Sequence, residues 1–290
     1  MRIVYYTSGT TGSGRIIKGI SIGNALRRKN IKAEYTILHH SDFVVPWNDF
    51  QFTKISLEED SRHLAKNFSS SILFKTLNDL KPDILLVDLL WFPFRHFIGE
   101  LHCKKIFLFS QVDDSFFTLP LTEGAVSFNP KDYHRVISIE PLPSGIPMTK
   151  INPLIIRNKD EIFSREEALS KLNINNSENN CLFAFNGAPG EFEEIKKQYS
   201  YLEEEGWRIE YSSNYKGGLF PAVDYFNAFN LLICGAGYNA FWEAIYFNQE
   251  AIFVPCRRIF ENQQRRIELC QEYYFDENGA DQLVEIIMGM

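Results

Sequence analysis

The sequence predicts an α/β protein whose parallel sheets are covered by helices on both faces, arranged as two domains. Three observations carry this. Short apolar strands alternate with helical segments along the chain, the pattern of parallel sheets. Twice an apolar strand runs into a glycine turn and then a helix: RIVYYT-SGTTGSG-RIIKGISIGNALRRKN near the start, and LLICGAGYNAFWEAIYFNQ from residue 231. The length, 290 residues, exceeds what one hydrophobic core ordinarily fills.

Residues 2–7 form the first strand, 8–14 the glycine loop, and 15–30 an amphipathic helix with Ile16, Ile17, Ile20, Ile22, Ala25 and Leu26 at helical spacing. Lys18, Arg27, Arg28 and Lys29 fall on its solvent face, and basic residues suit the negative end of a helix dipole. AEYTILHH (33–40) is an outer second strand ending at His39 and His40, and a polar helix spans roughly 57–80. DILLVDLL (83–90) and KKIFLFS (104–110) are continuous apolar strands, as in a buried parallel sheet. HRVISIE (134–140) completes the first domain, and PLPSGIPMTKINP, with its four prolines, begins an extended linker. The domains are thus residues 1–145 and 146–290. In the second, Ser164 with Glu167 three residues later marks a capping-box helix start over 164–174. NCLFAFNG (180–187) and WRIEYSS (207–213) are strands, separated by a turn and helix over APGEFEEIKKQYSYLEEEG. The strand from 231, its glycine turn, a helix carrying Glu243 and a strand ending at Pro255 close the pattern, before a polar Glu-Asn-Gln-Gln cluster.

Hydrophobic residues make up 45% and charged residues 23%, ordinary values for a globular chain and against disorder. A net charge of −7 with only short basic runs, such as Arg27-Arg28-Lys29 and Arg265-Arg266, argues against nucleic-acid binding; those runs read as solvated helix faces. Five cysteines without a CxxC pair, and a first segment that reads as a strand, lead us to expect a reduced, cytoplasmic protein. No apolar run reaches the roughly 20 residues of a membrane span, and ILLVDLLWFPF is broken by Asp88 and Pro93. The aromatic share, 14%, allows a peripheral membrane contact. Without HExxH, DxD or clustered His/Cys spacing, no metal is expected.

A short turn at Gly235 and Gly237 lets a ligand approach the main chain, while the next helix aims its free N–H groups and positive dipole end outward. A diphosphate suits such a site. Glu243, about one and two-thirds turns into that helix, is placed to reach a ribose hydroxyl. The same pattern also serves an ordinary helix start with a surface glutamate. The loop with Gly12 and Gly14 makes the tight turn of any doubly wound domain, and Gly187–Gly190 either contacts a ligand or simply precedes a proline-led helix. Ligands of open α/β sheets gather at the carboxyl ends of strands, which nominates Asp88, Asp113, Asp114, His39 and His40 as bases. Their ordinary readings are a buried or capping carboxylate, a turn pair and loop histidines.

GAGYNAFWEAIYFNQEAIFVP followed by FENQQRRIELC resembles the donor-binding half of GT-B glycosyltransferases of the MurG-like family 28 group. The motif there runs Gly-Gly-x-Asn-Thr-x-x-Glu-Ala, an apolar strand ending in Pro, and an acidic or amide cluster ending in Gln. Gly237, Asn239, Glu243, Ala244, Pro255, Glu261, Asn262 and Gln263 fall on it in order. The resemblance implies a GT-B fold, two Rossmann-like domains facing each other across a cleft, the first on the acceptor side and the second binding a nucleotide-sugar. It implies inverting, metal-independent transfer of a sugar from a UDP-sugar to an acceptor hydroxyl, with that co-substrate and no further cofactor. Gly237 and Asn239, with Gly235, would line the phosphate turn, the loop with Gly12 and Gly14 would face the donor, Gly187 stands where relatives often touch the diphosphate, Glu243 would bind the ribose, and Glu261, Asn262 and Gln263 would contact the sugar. Two positions depart from the family. Ala240 replaces the usual threonine, leaving phosphate contacts to backbone amides. Arg15 stands where several relatives and related UDP-sugar hydrolases carry a histidine; always protonated, it is no base but suits charge on a departing diphosphate. The base would then be a first-domain carboxylate, Asp88 or Asp113. A UDP-sugar hydrolase of similar fold and a non-catalytic nucleotide-sugar-binding or partner subunit are the alternatives.

Overall fold

A computed structural model describes residues 1–8, 14–43, 47–121, 124–176, 179–187, 189–213, 217–258 and 261–290. They form two units, Met1–Leu154 with Glu277–Met290, and Ile155–Asp276.

The first unit holds strands β1 (Arg2–Thr7), β2 (Glu34–His39), β3 (Gln51–Lys54), β4 (Ile84–Asp88), β5 (Lys104–Phe109), β6 (Thr118–Leu121), β7 (Gly124–Ser127), β8 (Arg135–Ser138) and β9 (Thr149–Lys150). Its helices are α1 (Gly14–Arg28) and α2 (Ile72–Leu80). Seven strands make a parallel sheet in the order β3-β2-β1-β4-β5-β8-β9, and β6 and β7 form an antiparallel hairpin. Val4, Tyr6, Leu85, Val87 and Phe107 bury against Trp91, Phe94 and Phe97, so the apolar runs read from the sequence become central strands by excluding water from both faces.

Two expectations change. The polar helix expected over 57–80 exists only as α2, preceded by short 3-10 turns at Asp60–His63 and Phe68–Ser70. Short polar side chains compete for the backbone there: Ser70 Oγ donates to the Asn67 carbonyl at 2.8 Å and Asn67 Nδ2 to the Ser61 carbonyl at 3.0 Å. Ser71 Oγ then accepts from the Phe74 N–H, and the helix begins. The second strand is not outermost, because β3 flanks it, and His39, its last residue, and His40, directly after it, are both buried. The His40 ring meets Tyr6 Oη at 3.0 Å and the Ile55 carbonyl at 3.1 Å.

The second unit holds α3 (Arg165–Leu172), β10 (Asn179–Ala184), α4 (Pro189–Gln198), α5 (Tyr201–Glu204), β11 (Trp207–Ser212), β12 (Leu231–Gly235), α6 (Tyr238–Tyr246), β13 (Ala251–Val254) and α7 (Gln263–Cys270). Ser164 and Glu167 close the capping box that their spacing predicts. The sheet, ordered β11-β10-β12-β13, is wholly parallel, so the carboxyl ends of β10, β12 and β13 lie side by side on one edge.

The last helix, α8 (Gly279–Met288), belongs to the first unit. Asp281 pairs with Arg28, the last residue of α1, at 2.9 Å and Glu285 with Lys29, the residue after it, at 2.6 Å, so these two basic residues engage α8. The sequence draws one boundary at 145/146; in the structure the chain leaves the first unit after Leu154 and re-enters it at Glu277. No helix among the described residues is long and apolar enough to cross a membrane.

Candidate functional site

The carboxyl edge of the second sheet is built on Phe185, a buried ring directly after β10. A methyl group on Gly235 would lie 3.1 Å from this ring, and one on Gly187 would lie 2.5 Å from it and collide with the Glu191 carboxylate. Both glycines thus let the main chain of two successive turns close down on one aromatic floor. Gly237 opens α6 as its N-cap and brings no capping side chain. The first-turn N–H groups and the positive end of the helix dipole lie on this edge.

The cluster after β13 is organised by hydrogen bonds within the chain. Gln263 is buried: its Oε1 accepts from the Cys256 N–H at 2.8 Å, and its Nε2 donates to Glu261. Asn262 caps α7, accepting from the Arg265 N–H at 2.9 Å. Arg266 has 1% of its surface exposed, so it is no part of a solvated helix face. Its Nη1 donates to the Ala236 carbonyl at 2.8 Å and to Glu261, pinning the Gly235–Gly237 turn to the first turn of α7. Gln263 is thus turned into the protein, whereas Asn262 is exposed and Glu261 keeps 27% of its side chain exposed. Glu191, in the first turn of α4, is joined twice to Arg258, at 2.7 and 2.9 Å.

Glu243 lies on α6. The residue is partly covered, and desolvation of its carboxyl, followed by the nearby Asp224 carboxylate, pushes it up to about 8. No described residue donates a hydrogen bond to it, whereas Asp224 is held by Arg157 at 2.8 and 3.1 Å. Asn239 is partly covered on the first turn of the same helix.

In the first unit Asp88 is wholly buried at the end of β4. It accepts from Lys18 Nζ at 2.6 Å, from Tyr5 Oη at 2.8 Å and from Thr7 Oγ1 at 3.4 Å. This corrects one expectation, since Lys18 is a buried cation rather than part of the solvent face of α1, and it gives Asp88 the surroundings of a buried, hydrogen-bonded carboxylate. Burial lowers the Lys18 pKa, with Asp88 opposing the shift. Tyr5 Oη also lies 2.8 Å from the Arg15 carbonyl, so the network holds the start of α1 against β1. The Arg15 guanidinium has no ion-pair partner among the described residues. Gly14 is the first residue of α1. Asp113, beyond the end of β5, is exposed and also without a side-chain partner among the described residues. Gly12 and the side chain of Asp114 lie outside the described residues, as does Ala188 beside Gly187.

Lys18, Arg266 and the Glu191–Arg258 pair were not marked by sequence as site architecture. A charged residue on an amphipathic helix reads as solvated, and only its partner, 70 positions away for Lys18, shows otherwise.

Solved glycosyltransferases share this architecture. The spinosyn rhamnosyltransferase SpnG complexed with thymidine diphosphate matches 100% of this chain and 92% of that chain at 13% identity, with a TM-score of 0.59. MurG of Acinetobacter baumannii matches 99% and 91% at 13% identity, with a TM-score of 0.53. The Streptomyces sp. SF2575 glycosyltransferase SsfS6 matches 89% and 82% at 14% identity, with a TM-score of 0.57. The likeness shows the fold: the chain has the GT-B architecture of mixed α/β units with parallel sheets. No family model and no curated protein matches the sequence.

Proposed function

We propose that the chain is a glycosyltransferase that moves a hexose from a nucleotide-sugar, a UDP- or dTDP-sugar, to an acceptor hydroxyl, with inversion and without a metal. The observation that carries this is the convergence on one sheet edge of the Gly187 and Gly235–Gly237 turns with α6, whose Glu243 carboxyl lacks a donor. In this reading the main-chain amides of the turns hold the diphosphate, and ribose hydroxyls donate to Glu243. Its structural neighbours bear on the same reading, since they are glycosyltransferases and two are recorded with thymidine diphosphate. In the chemical step an acceptor oxygen forms a bond to the anomeric carbon, the anomeric bond to the diphosphate breaks, and the nucleotide leaves with the electron pair. Of the first-unit candidates, Asp113 is exposed and open to take the acceptor's proton, and Arg15, without an ion-pair partner among the described residues, is open to an anionic group.

The burial of Asp88 beneath Lys18 favours a second reading, a nucleotide-sugar-binding subunit without turnover. Thermal melting of the full chain with UDP, dTDP, GDP and ADP and their sugar conjugates, in wild type and Glu243→Ala, tests the donor site. A ligand at 100 times its Kd adds about 2.7 kcal/mol. A shift selective for UDP or dTDP compounds and lost in the variant supports the donor reading; no shift with any nucleotide ends it. Product analysis with the stabilising donor, in wild type and Asp113→Asn, separates transfer from hydrolysis and from binding alone.

A further inference from the structure

The Arg258–Glu191 pair occupies a particular place on this edge. Arg258 belongs to the loop after β13 and Glu191 to the first turn of α4, the helix entered from β10. Between β10 and β13 runs β12, which ends at Gly235. The two-pronged bridge, Nη1 to Oε1 at 2.7 Å and Nη2 to Oε2 at 2.9 Å, therefore spans the strand whose end carries the Gly235–Gly237 turn. The carboxylate also lies against the Cα of Gly187, where a methyl group would collide with it. An anion thus sits beside the Gly187 turn, in a bridge that crosses the strand leading to the Gly235–Gly237 turn, and a guanidinium holds it in the planar fork that phosphates also accept. Both side chains keep about a third of their surface exposed, 34% for Arg258 and 30% for Glu191, so the bridge is reachable from solvent. Arg266, a second cation near this edge, is buried and committed to Ala236 and Glu261, and Arg257, next to Arg258, is exposed.

We propose that Glu191 is an internal stand-in for the donor's phosphates, and that a nucleoside diphosphate displaces it from Arg258, which makes Arg258 the residue that selects diphosphates over monophosphates. This rests on the reading that the second unit binds a nucleotide. A diphosphate carries more charge than a carboxylate and forms the same forked contact, so the exchange runs toward the ligand when it is present. With ligand absent, the bridge keeps the guanidinium paired.

The test is calorimetric titration of the full chain with UDP, dTDP and UMP, in wild type, Glu191→Gln, Arg258→Gln and Arg258→Lys. Glu191→Gln, which keeps shape but removes the competing charge, tightens diphosphate binding severalfold. Arg258→Gln weakens it about tenfold or more, the scale of a lost charge-assisted hydrogen bond, and changes UMP binding little. Arg258→Lys, with charge but no fork, falls between the two and serves if the glutamine variant does not fold. Diphosphate binding that weakens equally in Glu191→Gln and Arg258→Gln overturns the proposal, because the bridge is then only a scaffold. So does diphosphate binding indifferent to Arg258, an outcome that leaves the donor reading standing. Wild type binding neither UDP nor dTDP removes both.

Discussion

Lys18 Nζ lies 2.6 Å from Asp88 Oδ1, with 4% and 0% of the two side chains exposed. Two charges withdrawn from water are tolerable only while they face each other, so removing one should cost far more than replacing both. Lys18→Met is expected to lower stability by about 3–5 kcal/mol in urea unfolding, leaving the Asp88 carboxylate uncompensated. The double variant Lys18→Met, Asp88→Leu should recover much of that loss, since Tyr5 Oη retains the Arg15 carbonyl at 2.8 Å. Equal losses in single and double variants would show that the pair is not coupled in this way.

Arg266 and its neighbour Arg265 make an internal control, one buried and one exposed on the same helix. Arg266→Met removes the donors to Ala236 and Glu261 and is expected to cost about 1.5–3 kcal/mol, the scale of charge-assisted hydrogen bonds, and to weaken nucleotide binding as the glycine turn loosens. Arg265→Met should stay within about 0.5 kcal/mol of wild type. Chemical denaturation and the nucleotide thermal shift, run on both variants, check the contrast.

Glu243 should make stability depend on pH. Its folded pKa, about 8, stands above the unfolded value of about 4.3, so between these the folded chain holds a proton that the unfolded chain has lost. Its contribution is complete below about pH 4 and is lost as pH rises through 8, at no more than about 1.4 kcal/mol per unit, an upper figure for a partly covered residue. Glu243→Gln should flatten this part of the profile between pH 5 and 8. A ribose hydroxyl favours the ionised carboxylate, so nucleotide binding near pH 7 should release a proton, read by calorimetry in buffers of different ionisation enthalpy.

Gly187 and Gly190 bracket the start of α4 yet should respond oppositely. Alanine at 187 meets the Phe185 ring at 2.5 Å and the Glu191 carboxylate, an overpacking that should cost about 1–3 kcal/mol. Alanine at 190 meets nothing within 4 Å and should be neutral or stabilising by a few tenths of a kcal/mol. Melting temperatures of the two variants decide it.

The strands β1, β4, β5 and β12 were legible because each is a short, nearly unbroken apolar run bounded by polar or glycine residues, and burial on both faces requires that composition. The start of α3 was legible because Ser164 and Glu167 satisfy each other's backbone within one turn, an interaction local enough to be written in spacing. The edge strand β3 and the β6–β7 hairpin were not, since QFTK and TLPL carry too few apolar positions to set a period. The glycine turns of the candidate site could be placed from sequence, but not the engagement of Gln263 and Arg266 beneath them. A polar side chain that serves the backbone of another loop looks the same in sequence as one that faces solvent. The fate of Lys18 likewise depends on a partner 70 residues away, and local periodicity contains nothing about it.

The placement of α8 has a consequence for the order in which the molecule matures during synthesis. Gly279 abuts the Asn152 carbonyl so tightly that a methyl group would overlap it, its N–H bonds to the Pro153 carbonyl at 3.0 Å, and Asp281 and Glu285 reach back to Arg28 and Lys29. The second unit is a continuous segment and has all its contacts once residue 276 has left the ribosome. The first unit, although it begins earlier, waits for α8. A nascent chain therefore carries the α8-facing side of α1 uncovered while the later segment condenses, and the part made first is the last to be finished.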